Sequence, residues 1–589
     1  MTLCTLDWTI VAIYFLFVLI TGLVVSRRAG DTVSDFFLSG RNMPWWLLGV
    51  SMVATTFSAD TPNLVADLVR RNGVSGNWAW WAFLLTGMLT VFVFAKLWRR
   101  SMVMTDVEFY ELRYSGKAAA FLRGFRALYL GLIFNVLVMG AVSLAAIKFG
   151  EIVLGLEGWM TLLIAGSITL AYSTIGGLKA VIITDFVQFI LAMVGSVWAC
   201  IYILGLEEIG GLTNMLAHAN VVDKTSMLPS FDDPNVWVPV LLIPLAVQWW
   251  ASYYPGSEPG GGGYIAQRMF SAKDEKNAVG ATLLFNIAHY ALRPWPWILI
   301  ALASLIVFPD LDSIRSVFPN LSEDKVGDDV AYPAMLTMLP SGLLGLVAAS
   351  LIAAFMSTMS TQLNLGASYL VNDLYKRFLY PEASDKELVR AGQLFTVISA
   401  VLGLGLGLIL TSAGQAFDLL LLLGAGTGLI YILRWFWWRI NAWTEIVAMV
   451  ASLIIASYFT FFNEGLESWE KILYGAIITT VVWVVSTFIT PATDDDTLRN
   501  FYEKISPGGN GWSRVIKLAA EDGMQLKKAD DYLGLELLCV VIGITTVFSA
   551  LFATGSIIYS NLDQALGFIS STLVGSAILF WAWGKMNKN

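Results

Sequence analysis

The stretch AAFMSTMSTQLN, residues 353–364, places Ser357, Thr358, Ser360 and Thr361 within five positions of an otherwise apolar run. A single membrane Ser or Thr commonly bonds back to the carbonyl one turn earlier, or serves as a small residue at a helix contact. Four so close together allow another use. Ser357, Thr358 and Thr361 fall at one-turn spacing with Ala354 one turn before, so their oxygens and the Ala354 carbonyl can converge on one face. Neutral oxygens without Cys or His suit a hard alkali cation better than zinc or copper.

Asp185, in YSTIGGLKAVIITDFVQFI, falls inside a second apolar run. An ionisable side chain at membrane depth marks a functional site by default. It is read as a cation ligand, against pairing with a buried base or protonation, because no obvious basic partner is near it in sequence. Arg293, in NIAHYALRPWPW, also needs a partner. Glu258 or Asp60 would give a structural or gating ion pair; a substrate carboxylate, held bidentately, is the functional alternative. His289, one turn before Arg293, could share either role or simply pack. Aromatics crowd the same regions: Trp78, Trp80, Trp81, Trp249, Trp250, Tyr253 and Tyr254. They are interfacial anchors or stacking surfaces for a sugar ring.

The elements that carry these residues follow from composition. Of 589 residues 57% are hydrophobic and 14% charged, which predicts an all-α polytopic membrane protein and excludes an ordinary soluble domain. A helix needs about 20 apolar residues to cross a bilayer, and about fifteen segments qualify. Lys and Arg concentrate in alternate loops, with Arg27, Arg28, Arg41, the cluster from Arg99 to Arg126, Arg268, Lys273, Lys376 and Arg377 assigned to the inner side. That asymmetry predicts the N-terminus outside and the C-terminus in the cytoplasm, in a plasma or inner membrane. The start MTLCTLDW lacks a basic n-region, so the first helix is expected to be a retained span.

Two spans are interrupted. Ser58, Asp60, Thr61 and Pro62 break the second; Pro255, Pro259 and the run Gly260 to Gly263 break the seventh. Five spans follow from each break with opposite expected topology, the pattern of an inverted-repeat secondary transporter with its sites at the breaks. The expected division is residues 1–43, an extra helix and inner loop; 44–234 and 235–433, the two repeats; 434–490, two peripheral helices; 491–532, a polar cytoplasmic linker with one short helix; and 533–589, two further helices. Three scattered cysteines and two histidines give neither a metal-ligand spacing nor a nucleophile–base pair. No enzyme, nucleic-acid footprint or obligate protein partner is indicated.

Three motifs resemble the sodium/solute symporter family, whose members couple sodium to sugars, proline, sialic acid, pantothenate or iodide: SGRNMPWWLLGVSMVATTFSA, YSTIGGLKAVIITDFVQ and AAFMSTMSTQLNLGASYLVNDLYK. The resemblance spans roughly residues 8–465 and implies a five-plus-five inverted-repeat core. Carried over by position, it implies a sodium site from the backbone oxygens of Ala54, Phe57 and Ala354 with the hydroxyls of Ser357 and Thr358. It further implies a second sodium site, found in some members, from Asp185, Ser357, Ser360 and Thr361, so that one or two ions would be co-transported.

The solute pocket departs from sugar-transporting relatives, since the third and eleventh spans are apolar around Leu84 and Leu421. Its candidate residues are Asp60, Thr61, Tyr253, Tyr254, Glu258, His289 and Arg293. The expected function is sodium-coupled uptake of a small polar solute, a sugar or polyol, by alternating access. An organic carboxylate, proton coupling and solute sensing are the alternatives.

Overall fold

A computed structural model describes residues 3–26, 32–58, 60–251, 259–319, 321, 325–410, 426–463, 465–527 and 532–586. These form helices without a β-strand; one isolated backbone bridge joins Met43 to Ala272. Eleven of the described helices are long and apolar enough to cross a membrane. The difference from about fifteen expected spans has three sources. The second and seventh spans are split into short pieces, the fifth and sixth run together, and much of the eleventh lies outside the described residues.

In chain order the elements that matter are α1 (Thr5–Ser26), α2 (Trp45–Thr56), α3 (Asp60–Asn72), α4 (Val74–Ser101), α5 (Gly116–Leu154), α6 (Gly158–Leu204), α7 (Pro234–Ala246) and α8 (Gly263–Ser271). Then follow α9 (Glu275–Val307), α10 (Leu343–Leu379), α11 (Asp385–Gly407), α12 (Gly428–Phe436), α13 (Ala442–Phe461) and α14 (Ser468–Ile489). Last come α15 (Asp495–Ile505), α16 (Ser513–Glu521), α17 (Leu533–Ile558) and α18 (Leu562–Met586).

α10 is the axis of the molecule. Every residue from Val347 to Tyr369 is buried, and α1, α5, α6 and α11 pack around it. Such a helix must satisfy its polar side chains internally. Its N-terminal amides are met by α1, where Asp7 Oδ1 accepts from the Gly342 and Gly345 amides at 2.6 and 2.8 Å. The carboxylate thus answers both the orphan donors and the positive end of the helix dipole. α6 covers two expected spans, which Gly177 separates by leaving helical geometry at φ 56° and ψ −168°. A Cβ there would stand 2.7 Å from the Phe36 carbonyl oxygen, so glycine serves both the turn and the close approach.

The 491–532 segment differs from the linker expected of it. It forms two helices, α15 and α16, with Leu498, Phe501, Ile505 and Trp512 fully buried. Leu498, Phe501, Tyr502 and Ile505 recur at helical spacing and give α15 one apolar face. Arg113 lies over the Phe501 and Trp512 rings at 5.4 and 4.9 Å, and Arg100 donates to the Ile505 carbonyl at 2.9 Å. α17 is seated by Trp78 and Trp81, whose rings meet Phe548 and Phe552, and by the Lys96–Glu536 ion pair.

Candidate functional site

α2 ends where its sequence turns polar. Phe57 leaves helical geometry at φ −86° and ψ 73°, with its amide donating to the Val53 and Ala54 carbonyls, and α3 resumes at Asp60. Non-helical backbone survives at membrane depth only where it is buried or lines a cavity; Ala54 and Phe57 are both buried. α10 lies against this end. Thr358 Oγ1 donates to the Thr55 carbonyl at 2.9 Å and is 3.3 Å from the Ala354 carbonyl. Thr55 Oγ1 and Thr361 Oγ1 are 3.1 Å apart. The hydroxyl-rich turn of α10 therefore faces the break in the second span, while Phe57 closes the break with its ring 4.9 Å from that of Trp297.

Ser357 points elsewhere. Its hydroxyl donates to Asp185 Oδ1 at 2.6 Å, and Ser51 donates to Asp185 Oδ2 at 2.5 Å. Ser360 Oγ donates to the Ser357 carbonyl at 3.0 Å. Asp185 is read from sequence as a cation ligand because no basic partner stands near it in the chain; the fold supplies one from 83 positions away, since Arg268 Nη2 lies 3.5 Å from Asp185 Oδ2 with both side chains fully buried. The same nitrogen donates to Thr361 Oγ1 at 2.7 Å, and Nε donates to Ser51 Oγ at 3.2 Å. Nor is Arg268 in an inner loop. The Gly-rich break starts a new short helix, α8, which carries the guanidinium into the core.

Sequence reasoning missed three members of this cluster, Arg268, Ser51 and Thr55. Ser51 and Thr55 stand one turn apart ahead of the break, and that spacing was a readable signal. For Arg268 the signal was its place in GGGGYIAQR, five residues after the last glycine, where a helix begins instead of ending.

The solute candidates divide. His289 Nδ1 is 3.1 Å from Thr56 Oγ1. Arg293 Nη1 donates to Thr56 Oγ1 and the Val53 carbonyl at 3.2 and 3.4 Å, and its Nη2 lies 3.4 Å from His289 Nε2. Its guanidinium also lies over the Trp297 ring at 5.3 Å. Thr61 donates to the Thr56 carbonyl at 3.1 Å. Trp80 stacks on Tyr290 and stands edge-on to His289, so among Trp78, Trp80 and Trp81 it is the one turned to this group. Tyr253, Tyr254 and Glu258 lie outside the described residues, as does Leu421.

α9 is shaped for these contacts. A wide turn at Ala288–Leu292 loosens the helix, and Pro294 restarts it after Arg293. Wide turns of this kind commonly mark functional sites, since they offset side chains from the regular face.

A model of the sodium:solute symporter family matches residues 36–456. The chain is 26% identical over 510 residues to a sodium/glucose cotransporter of Vibrio parahaemolyticus, with 83% of this chain and 92% of that protein covered. It is 25% identical over 493 residues to sodium/myo-inositol cotransporter 2 of Homo sapiens, with 76% and 69% covered. A solved structure of a Na+-coupled sialic acid symporter, substrate-bound and outward-open, matches at a TM-score of 0.66 and 19% identity, over 83% of this chain and 99% of that one. That likeness shows the fold. With a family match across most of the chain, this protein belongs to the sodium:solute symporter family.

Proposed function

We propose that this chain is a sodium-coupled symporter for a small neutral polar solute of the sugar or polyol class, working by alternating access. The observation that carries the proposal is the Thr358 hydroxyl, which reaches both the Thr55 and Ala354 carbonyls where the second span breaks. The proposed sodium ligands are the backbone oxygens of Ala54, Phe57 and Ala354 with the hydroxyls of Ser357 and Thr358. An ion there would tie the broken span to α10, and the energy it gains in one state of the carrier is what biases that state. One sodium ion moving inward at 100 mV contributes about 2.3 kcal/mol.

A neutral solute is favoured by how Arg293 is engaged, with donors directed at Thr56, Val53 and His289. The ring pair Trp80 and Tyr290 offers an aromatic face beside the same residues, suited to the apolar side of a sugar. Relatives named for glucose and myo-inositol support the same class. The proposed setting is the plasma or inner membrane with the N-terminus outside and the C-terminus in the cytoplasm. The proposed core is two repeats, 44–234 and 235–433, flanked by the remaining helices.

Uptake into proteoliposomes decides the matter. Radiolabelled hexoses, inositols and small organic acids would be offered under an inward sodium gradient, with potassium and proton gradients as controls. Sodium-driven accumulation of a sugar or polyol is the expected result. Accumulation of an acid would replace the solute class, and accumulation driven by protons alone would overturn the coupling ion.

A further inference from the structure

The carboxylate of Asp185 sits among the groups that family resemblance assigns to a second sodium ion, Ser357, Ser360 and Thr361. In this chain a positive charge already stands there. Arg268 touches four elements at once. It meets Asp185 on α6 at 3.5 Å, Thr361 on α10 at 2.7 Å, Ser51 and Thr55 on α2 at 3.2 and 3.5 Å, and Gln267 on its own helix α8 at 3.1 Å. Both Asp185 oxygens are engaged in turn, Oδ1 accepting from Ser357 and Oδ2 from Ser51 and Arg268. Both charges are fully buried.

We propose that Arg268 is a tethered cation that takes the place of a second sodium ion at Asp185, so that each transport cycle carries one sodium. The inference deepens the symport reading and rests on it. Three physical arguments support it. A sodium ion joining Asp185 would stand within a few ångströms of a guanidinium that stays protonated, in a setting of low dielectric where like charges repel strongly. Thr361 Oγ1 already accepts from Arg268, so one of its two lone pairs is turned to the guanidinium and not to an ion. Displacing Arg268 would also leave it as a buried charge without its carboxylate, and that is the costly way to break such a pair. The ion proposed at the α2 break sits against Thr358, whose hydroxyl bonds to the Thr55 and Ala354 carbonyls; Ser357, assigned to the same ion, would exchange its bond to Asp185 for it.

The test counts sodium bound to the purified full-length protein, using radiolabelled sodium as the sole ligand. Wild type is expected to bind one ion per chain with a Hill coefficient of about 1. Asp185→Asn is expected to keep that number. Arg268→Gln frees the carboxylate and is expected to bind one ion more, which the Arg268→Gln/Asp185→Asn double variant loses again. Arg268→Lys, which keeps the charge, is expected to behave as wild type.

Two ions bound to wild type, one of them lost in Asp185→Asn, would overturn the inference. So would a monodisperse Arg268→Gln protein that gains no ion. If Arg268→Gln fails to fold, the wild-type count alone decides. A wild type that binds no sodium removes the symport reading instead, and the tethered cation then stands or falls on whether Arg268→Gln gains an ion that requires Asp185.

Discussion

The Thr358 hydroxyl donates to the Thr55 carbonyl at 2.9 Å, joining the central helix to the last turn of α2, one residue past Ala54 and two before Phe57. A bond to that carbonyl fixes how the proposed sodium ligands present themselves. Thr358→Val keeps the shape and removes the oxygen. Its expected effect is loss of the melting-temperature gain that sodium gives over potassium at equal ionic strength, with sodium affinity reduced at least about tenfold, or about 1.4 kcal/mol. Thr358→Ser should retain most of the gain. A valine variant stabilised by sodium as well as wild type would remove Thr358 from the site.

Arg293 supports the same break from the other side, through the Val53 carbonyl and the Thr56 hydroxyl. Arg293→Gln leaves buried acceptors without their donor, at an expected cost of about 1–3 kcal/mol. Arg293→Lys should not recover it, because an ammonium cannot present the planar fork that meets Val53, Thr56 and His289 together. Thermal unfolding in potassium isolates this structural part. Should both variants melt as wild type while the solute KM rises sharply, Arg293 would be a solute ligand and not a support of the break.

How far these residues could be read from sequence depended on their range. Breaks are local, and Pro62 and the glycine run announced them without a structure. The hydroxyl turn of α10 was legible too, because one helix face is set by spacing of three and four. Pairings between distant spans were not. Asp185 and Arg268 are 83 positions apart, and no local rule reveals that a glycine-rich break would aim α8 at α6. The same limit applied to the polar 491–532 segment. Its apolar face at Leu498, Phe501 and Ile505 was visible, while the aromatic and Arg113 surface it docks on comes from elsewhere in the chain.

That docking gives its own prediction. Trp512 is fully buried, and its ring nitrogen donates to the Trp435 carbonyl at 2.8 Å. Removing a buried tryptophan typically costs about 3–5 kcal/mol. The loss here should fall mainly on the α15–α16 unit, since Trp512 is one of the buried side chains that dock it. Trp512→Ala is therefore expected to raise trypsin cleavage within 491–532 severalfold while the sodium-dependent melting shift persists. Cleavage at the wild-type rate would mean the segment is held by other contacts.

Gly261 tests whether the break before α8 needs its glycines. Its φ is +88°, and a Cβ there would stand 2.8 Å from Met269 Cε and 2.9 Å from Thr90 Cγ2. Gly261→Ala meets two penalties, about 1–2 kcal/mol for the left-handed backbone and about 1–3 kcal/mol for overpacking. The contrast is Gly567 in α18, where a Cβ would meet nothing within 4 Å. There alanine replaces a helical glycine without strain and should stabilise by about 0.5–1 kcal/mol. Opposite signs in the melting temperature are thus expected from one chemical change at two positions. Because Gly261 sets the start of α8, its alanine variant should also weaken the hold of Arg268 on Asp185, which accessibility of a cysteine introduced at Thr361 would report. A Gly261→Ala protein as stable as Gly567→Ala would show that the chain can enter α8 without the left-handed turn.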